Sequence, residues 1–280
     1  MECKIKSISI NYEVIGQGKP IVMIHGYTPD HRLMSGCMEP VFKEKTNYKR
    51  IYFDLPGMGK TSAVDWITNS DVMLDIILEF IDHVIPNGNF LLAGESYGGY
   101  LSRGILKKIP HRVDGLLMIC PCIIPDSSKR RLPPRKVLLE NDRLLSQLAP
   151  YEVEQYASIA VVQSEETWQR FRDEILPGLE LADKSFLANF RETGYAFSFD
   201  VDETGSTFDK PALILAGRQD DSVGYKDAWD LLDRYPRAAF AVLDRAGHNL
   251  QIEQPEVFSC LVREWLYRVE EYLANPSNIL

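Results

Sequence analysis

The stretch Gly94-Glu95-Ser96-Tyr97-Gly98 sets a serine between two glycines, each two residues away, and Gly99 extends the run. It follows the apolar run FLLAG and precedes a segment that reads as a helix to about residue 108. In a strand–turn–helix setting of this kind a serine hydroxyl is held exposed as a nucleophile. Glycines at those spacings let strand and helix approach closely, and a helix N-terminus supplies free amides and positive potential. A serine needs a base. His248, in GHNL shortly after the run AFAVL, is the candidate: it would take the serine proton and return it to the leaving group. Asp220, in GRQDD directly after ALILA, would orient the imidazole and stabilise its charged form. Asp221 is its neighbour, and Asp220 is preferred as the one closer to the strand end. Asp244 stands too near the histidine loop, and Asp126, after GLLMIC, is a weaker substitute. His25-Gly26-Tyr27-Thr28 follows the run IVMIH. The main-chain amides of Tyr27 and Tyr97 are expected to converge on a developing oxyanion. Their rings are expected among the pocket walls, and His25 is expected to brace its loop.

The elements that must position these residues follow from the pattern of apolar runs. Residues 5–15 alternate partly and reach Gly16 and Gly18, giving one or two edge strands and a turn. Runs at 21–25, 50–54, 90–94, 115–120, 212–216 and 239–243 read as strands. Helical spacing appears over 69–85, with Asn69 or Ser70 as cap, and over 255–273; a short helix is expected at 34–43. Strands alternating with helices imply a mostly parallel sheet covered on both faces, an α/β architecture. Its functional loops lie at the C-terminal ends of the strands. The rhythm breaks after Pro121 and returns at ALILA. Residues 122–209 therefore read as an inserted helical cap on a core of residues 1–121 and 210–280.

Composition narrows the function classes. The net charge of -9 over 280 residues argues against a nucleic-acid partner. Five cysteines without a paired CxxC array read as mostly reduced, partly buried thiols. No stretch has the length of a membrane span and the N-terminus lacks a leader-type apolar run, so the default expectation is a soluble cytoplasmic protein, monomer or homo-oligomer. Gly57-Met58-Gly59-Lys60-Thr61 looks like the end of a phosphate-binding loop but has Asp54 where such a loop needs glycine. No dinucleotide fingerprint or zinc spacing is present. The chemistry expected needs no metal and no organic cofactor.

Taken together, these residues resemble the α/β-hydrolase superfamily. HGYT resembles its oxyanion loop, DLPGMGKTS (54–62) its D-x-P-G-x-G-x-S loop, GESYGG its nucleophile elbow, and GRQDD and GHN its acid and histidine loops. The likeness covers residues 20 to 275, with the cap similar in architecture alone. It implies a serine hydrolase with Ser96, Asp220 and His248 as triad, acting on a small molecule or short peptide. Within the superfamily the chain looks closest to the capped group of proline iminopeptidases and small-molecule ester or carbon–carbon bond hydrolases. Glu95 and Tyr97 depart from the glycine and tryptophan common in the iminopeptidase branch. The expected reaction is cleavage of a small ester or amide; the alternatives are an aminopeptidase, and a lyase or non-catalytic receptor on the same fold. An aminopeptidase would need a cap carboxylate for the free amine, and Glu152, Glu154, Glu165 and Glu166 are the candidates. Trp168, Phe171, Phe186, Phe190, Tyr195 and Phe197 are read as cap core and pocket wall combined. KRRLPPRK (129–136) is read either as a contact for an anionic substrate or acidic partner, or as a solvated segment near the cap hinge.

Overall fold

A computed structural model describes residues 1–203 and 207–275. Residues 204–206, within the expected cap, and 276–280, at the end of the expected core, lie outside the described residues.

The short apolar runs become strands: β1 (Glu2–Ile5), β2 (Ile8–Ile15), β3 (Lys19–Ile24), β4 (Tyr48–Phe53), β5 (Phe90–Glu95), β6 (Val113–Ile119), β7 (Ala212–Gly217) and β8 (Ala238–Leu243). They form one sheet in the order β1-β2-β4-β3-β5-β6-β7-β8. β1 and β2 are antiparallel to their neighbours, and every pairing from β4 to β8 is parallel. The first turn falls at Lys6-Ser7, inside the segment the sequence left as one or two strands, with Lys6 at φ 52°. Every residue of β5, β6 and β7 is buried, as expected of strands covered on both faces.

The helices are α1 (Arg32–Phe42), α2 (Ser70–Val84), α3 (Tyr97–Lys108), α4 (Asp142–Leu145), α5 (Pro150–Ala157), α6 (Glu165–Glu174), α7 (Leu176–Leu181), α8 (Lys184–Thr193), α9 (Lys226–Trp229), α10 (Leu250–Glu253) and α11 (Pro255–Ala274). Asn69 caps α2, accepting from the Val72 amide. The stripe Met73, Ile76, Ile77, Phe80 and Ile81 is buried. The Phe80 ring sits 4.6 Å from that of Phe53 on β4 and 5.4 Å from that of Tyr12 on β2. On α11 the buried positions Phe258, Val262, Trp265, Leu266 and Val269 keep helical spacing, and the Trp265 indole donates to the Pro211 carbonyl. Among the described residues no helix is long and apolar enough to cross a membrane.

Topology positions the site. β3 lies between β4 and β5, so the chain runs outward in one direction to β4 and then returns to build β5 on the other side. A reversal of this kind opens a crevice at the C-terminal strand ends. Between β6 and β7 the chain is helical, α4 to α8, and strand-like pairing there is confined to the bridge Leu139–Val162 among the described residues.

The basic segment has a structural use that neither sequence reading anticipated. Arg130 donates to the carbonyls of Ile124 (2.8 Å), Ser222 (2.9 Å) and Pro125 (3.0 Å). Arg131 pairs with Asp227 (2.6 Å) and Asp230, and Arg135 reaches the Ala157 carbonyl and Asp221. These arginines fasten the start of the helical segment to the loop after β7 and to α9. Replacing Phe80 by alanine should remove the wedge between α2 and the sheet. The expected loss is about 3–5 kcal/mol in a urea unfolding curve; a loss below about 1 kcal/mol would contradict this packing.

Candidate active site

The elbow is built by close approach. A methyl group on Gly98 would run into the Ile24 carbonyl, and one on Gly94 into the Gly98 carbonyl. With both positions bare, α3 starts directly against β3 and β5. Ser96 between them takes φ 51° and ψ −112°, a conformation that costs a non-glycine residue about 1–3 kcal/mol. Three hydrogen bonds hold it: Ser96 N–H donates to the Ile119 carbonyl (2.9 Å), and its carbonyl accepts from Cys122 N–H (2.9 Å) and Tyr100 N–H (3.2 Å).

Ser96, His248 and Asp220 meet. Ser96 Oγ lies 3.0 Å from His248 Nε2, to which its hydroxyl donates when the imidazole is neutral, and His248 Nδ1–H donates to Asp220 Oδ2 at 2.9 Å. Asp220, a carboxylate, only accepts here, which sets the ring tautomer. Its other oxygen accepts from the amides of Ser222 (2.9 Å) and Val223 (3.0 Å). Burial disfavours the Asp220 charge, but His248 and these amides outweigh it and hold the carboxyl below its ordinary value. Burial likewise opposes an imidazolium at His248; Asp220 and then Glu95 overcome it and raise the group to about 9. Asp221 turns away to Arg135, Asp244 is exposed, and Asp126 accepts from the Ser128 amide.

Tyr27 lies in the loop after β3 and Tyr97 opens α3 just after β5, and β3 and β5 are neighbours in the sheet. Among the described residues neither amide has an acceptor within the chain. The Tyr27 ring lines the cavity and its hydroxyl donates to the Leu187 carbonyl on α8 at 2.5 Å. The expectation for the Tyr97 ring is corrected. It is wholly buried, bonded to Ser70 Oγ at 2.7 Å and packed 4.7 Å from Tyr195. The turn that exposes Ser96 sends the next side chain into the packing instead. His25 braces its loop: Nδ1–H donates to the Gly26 carbonyl (2.7 Å) and Nε2 accepts from the Leu55 amide (3.0 Å).

Ser96 and His248 open into a cavity of about 220 Å³, with Ile159, Phe171, Ile175 and Leu179 of the helical segment opposite them. Of the six aromatics read as cap core and wall, Phe171 borders this cavity. Trp168 packs on Tyr156 and Phe171, Phe186 on Phe190, Phe190 and Tyr195 on Tyr27 and Tyr97, and Phe197 on Tyr100. None of the four glutamates borders it. Glu152 caps α5 through the Ala149 amide, and Glu154, Glu165 and Glu166 are exposed.

Two groups of metal-type ligand atoms lie close together among the described residues: Cys120–Asp220–His248 and Asp30–His31–Asp54. The first contains the serine's partners. In the second, Asp54 already accepts from His31, Asn11 and the Lys60 amide, and Asp30 from Arg32.

Sequence reasoning missed two carboxyl groups. Glu95 ends β5 beside the serine, with Oε1 3.4 Å from His248 Nε2; its signal was a charge closing an apolar strand. Glu253, on α10, accepts from the amides of Gly247 (2.6 Å), Val161 (2.7 Å) and Val162 (3.2 Å). It thereby joins the histidine loop to the helical segment. Nothing in LQIEQP distinguishes it from an ordinary helix residue.

The chain belongs to the alpha/beta hydrolase family, whose model matches residues 21–259. It is similar to an alpha/beta superfamily hydrolase of known structure from Oenococcus oeni PSU-1, with a TM-score of 0.85 and 31% identity over 96% of this chain and 99% of that one. It is 26% identical to the pimeloyl-[acyl-carrier protein] methyl ester esterase of Aeromonas salmonicida, over 91% of this chain and 98% of the relative. It is 24% identical to the 2-hydroxy-6-oxo-2,4-heptadienoate hydrolase of Pseudomonas putida, over 92% of this chain and 93% of the relative.

Glu253→Gln would leave at least one buried amide of the histidine loop or helical segment without its acceptor. Such a loss is worth about 1–3 kcal/mol. Thermal unfolding should shift downward, and turnover of an ester should fall about tenfold as His248 loses its fixed position. Wild-type rates in this variant would contradict the coupling.

Proposed function

We propose that the chain is a serine esterase acting on a compact ester. One observation carries the reading: a hydroxyl–imidazole–carboxylate series at 3.0 and 2.9 Å, opening into a cavity of about 220 Å³. Ser96 Oγ attacks the ester carbonyl while its proton passes to His248 Nε2. Asp220 fixes the ring and balances its charge. The amides of Tyr27 and Tyr97 receive the oxyanion. Collapse returns the Nε2 proton to the leaving alcohol. A water then gives its proton to Nε2, attacks the acyl-serine and releases a carboxylic acid. Helices α4 to α8, within residues 122–209, act as the cap. They bring Ile159, Phe171, Ile175 and Leu179 over the serine, which favours a small apolar acyl or alkoxy group.

The methyl ester esterase named among the relatives supports an ester with a small alcohol. An aminopeptidase has less support, because the four cap glutamates stand away from the cavity and leave an incoming amine without that anchor. A kinetic panel of methyl and p-nitrophenyl esters, a pimeloyl methyl ester and prolyl amides is the test, with Ser96→Ala as blank. Short esters should be cleaved, and Ser96→Ala should lower the rate by at least about 10³-fold. Ser96-dependent cleavage of prolyl amides far above esters would overturn the ester reading. Binding without turnover would favour a receptor, and carbonyl products without added water a lyase. The sign of the pH dependence follows from His248, which must be neutral to accept a proton. Its raised value keeps it charged at neutrality, so kcat/KM should climb with pH to an acid-limb midpoint well above the ordinary imidazole value of about 6.5. A midpoint at or below that value would contradict this electrostatic environment.

A further inference from the structure

Glu95 has no part in the reaction as derived so far, and its surroundings are unusual for a carboxyl group. It closes β5, whose other residues are all apolar, and is 2% exposed. A carboxyl removed from water normally finds hydrogen-bond donors, because leaving it without them is costly. Here no hydrogen bond reaches it among the described residues; its partner is His248, with Oε1 3.4 Å from Nε2. The group borders the cavity that Ser96 opens into. The loop after β3 passes close by it: a Cβ at Gly26 would meet Glu95 Oε2 where the carboxyl now lies. A residue kept for packing alone would be served as well by an apolar chain of the same size.

Nε2 is the atom that receives a proton in both halves of the proposed reaction. Asp220 lies against the opposite ring nitrogen at 2.9 Å. The imidazole thus has a carboxyl group at each end, one hydrogen-bonded to Nδ1 and one beside Nε2. The other charged or titratable groups facing the pair are Arg130, from the hinge of the helical segment, and the buried thiols Cys37 and Cys120. Burial pushes both thiols up, so they are neutral. Arg130 is taken up by carbonyls and Cys122 Sγ.

We propose that Glu95 is a catalytic residue of this same site: its carboxylate faces Nε2 and stabilises the imidazolium each time that nitrogen takes up a proton, first from Ser96 and then from the deacylating water. This rests on the serine-esterase reading. Glu95 is not consumed. The proton stays on Nε2 until it passes to the leaving alkoxide, and after deacylation it returns to Ser96 Oγ. Glu95 stabilises the imidazolium of the resting enzyme as well, so it shifts activity toward higher pH while strengthening His248 as a base. Burial lifts Glu95 to about 7, with His248 pulling it down and Asp220 pushing it up, so the carboxylate is present in the alkaline range where the neutral imidazole works.

The test is Glu95→Gln, which keeps size and shape and removes the charge. The readout is the second-order rate of Ser96 phosphonylation by an uncharged fluorophosphonate across the acid limb, which needs no knowledge of the natural substrate. The acid-limb midpoint should move down by about one pH unit, and the alkaline plateau should fall about tenfold. Glu95→Asp, which keeps the charge, should restore most of the midpoint. A folded Glu95→Gln protein with its midpoint within about 0.2 unit of wild type would overturn the proposal, whatever happens to the plateau. If Glu95→Gln does not fold, Glu95→Ala decides: a midpoint lowered by about one pH unit supports the charge role, and an unmoved midpoint overturns it. Wild-type protein whose Ser96 takes no label at any pH overturns the esterase reading, and this proposal with it.

Discussion

Ser96 faces the cavity because its backbone is held at φ 51° and ψ −112°, where a residue with a side chain does not settle unaided. What holds it there is distributed through the fold. Its amide is bound to the end of β6 and its carbonyl to the first turn of α3 and to Cys122. α3 in turn reaches that position only because Gly98 lies against the Ile24 carbonyl at the end of β3. β3 and β5 pair in parallel with Ile24 opposite Gly94, so the loop that carries Tyr27 and the turn that carries Ser96 leave the sheet side by side. A one-residue slip in that register would separate them and would turn the buried faces of both strands. The apolar sheet thus has a second role beyond stability: it supplies the rigidity against which one strained residue can be kept.

Charge imposes the next constraint. The site removes Asp220, Glu95 and Glu253 from water almost completely and leaves His248 partly exposed at the cavity. Carboxylates there are tolerated where something answers them. Asp220 has an imidazole and two amides, and Glu253 has three amides. Glu253 also spans two parts of the chain, since Gly247 precedes the histidine while Val161 and Val162 belong to the helical segment. The arginines of 129–136 fasten the same segment near its start. The roof of the cavity is therefore held from two sides, and one of those attachments runs through the loop that carries His248.

Much of this was legible in the sequence because it depends on local rules. The elbow is written in GESYGG as glycines at fixed offsets, and the loop histidine and acid follow apolar runs that must be strands. Asp220 was separable from Asp221 by its place near the strand end, and the structure sends Asp221 to Arg135. What was not legible depends on side-chain direction. The ring of Tyr97 points into the packing beside Tyr195, although its amide remains free of acceptors among the described residues. KRRLPPRK carries no sign that its arginines are bound to carbonyls and to Asp227. Glu253 lies 92 residues from Val161 in the chain yet accepts from its amide at 2.7 Å, and no spacing rule encodes such an approach.

In the proposed reaction the fold delivers one serine hydroxyl to one imidazole, and the amides of Tyr27 and Tyr97 receive the negative oxygen. The structure of the protein after reaction with a small fluorophosphonate tests it most directly. The phosphorus should be bonded to Ser96 Oγ, with its phosphoryl oxygen about 2.7–3.1 Å from the amide nitrogens of both Tyr27 and Tyr97, and His248 still paired with Asp220. An adduct on Ser96 whose phosphoryl oxygen points into the cavity, away from both amides, would contradict the account.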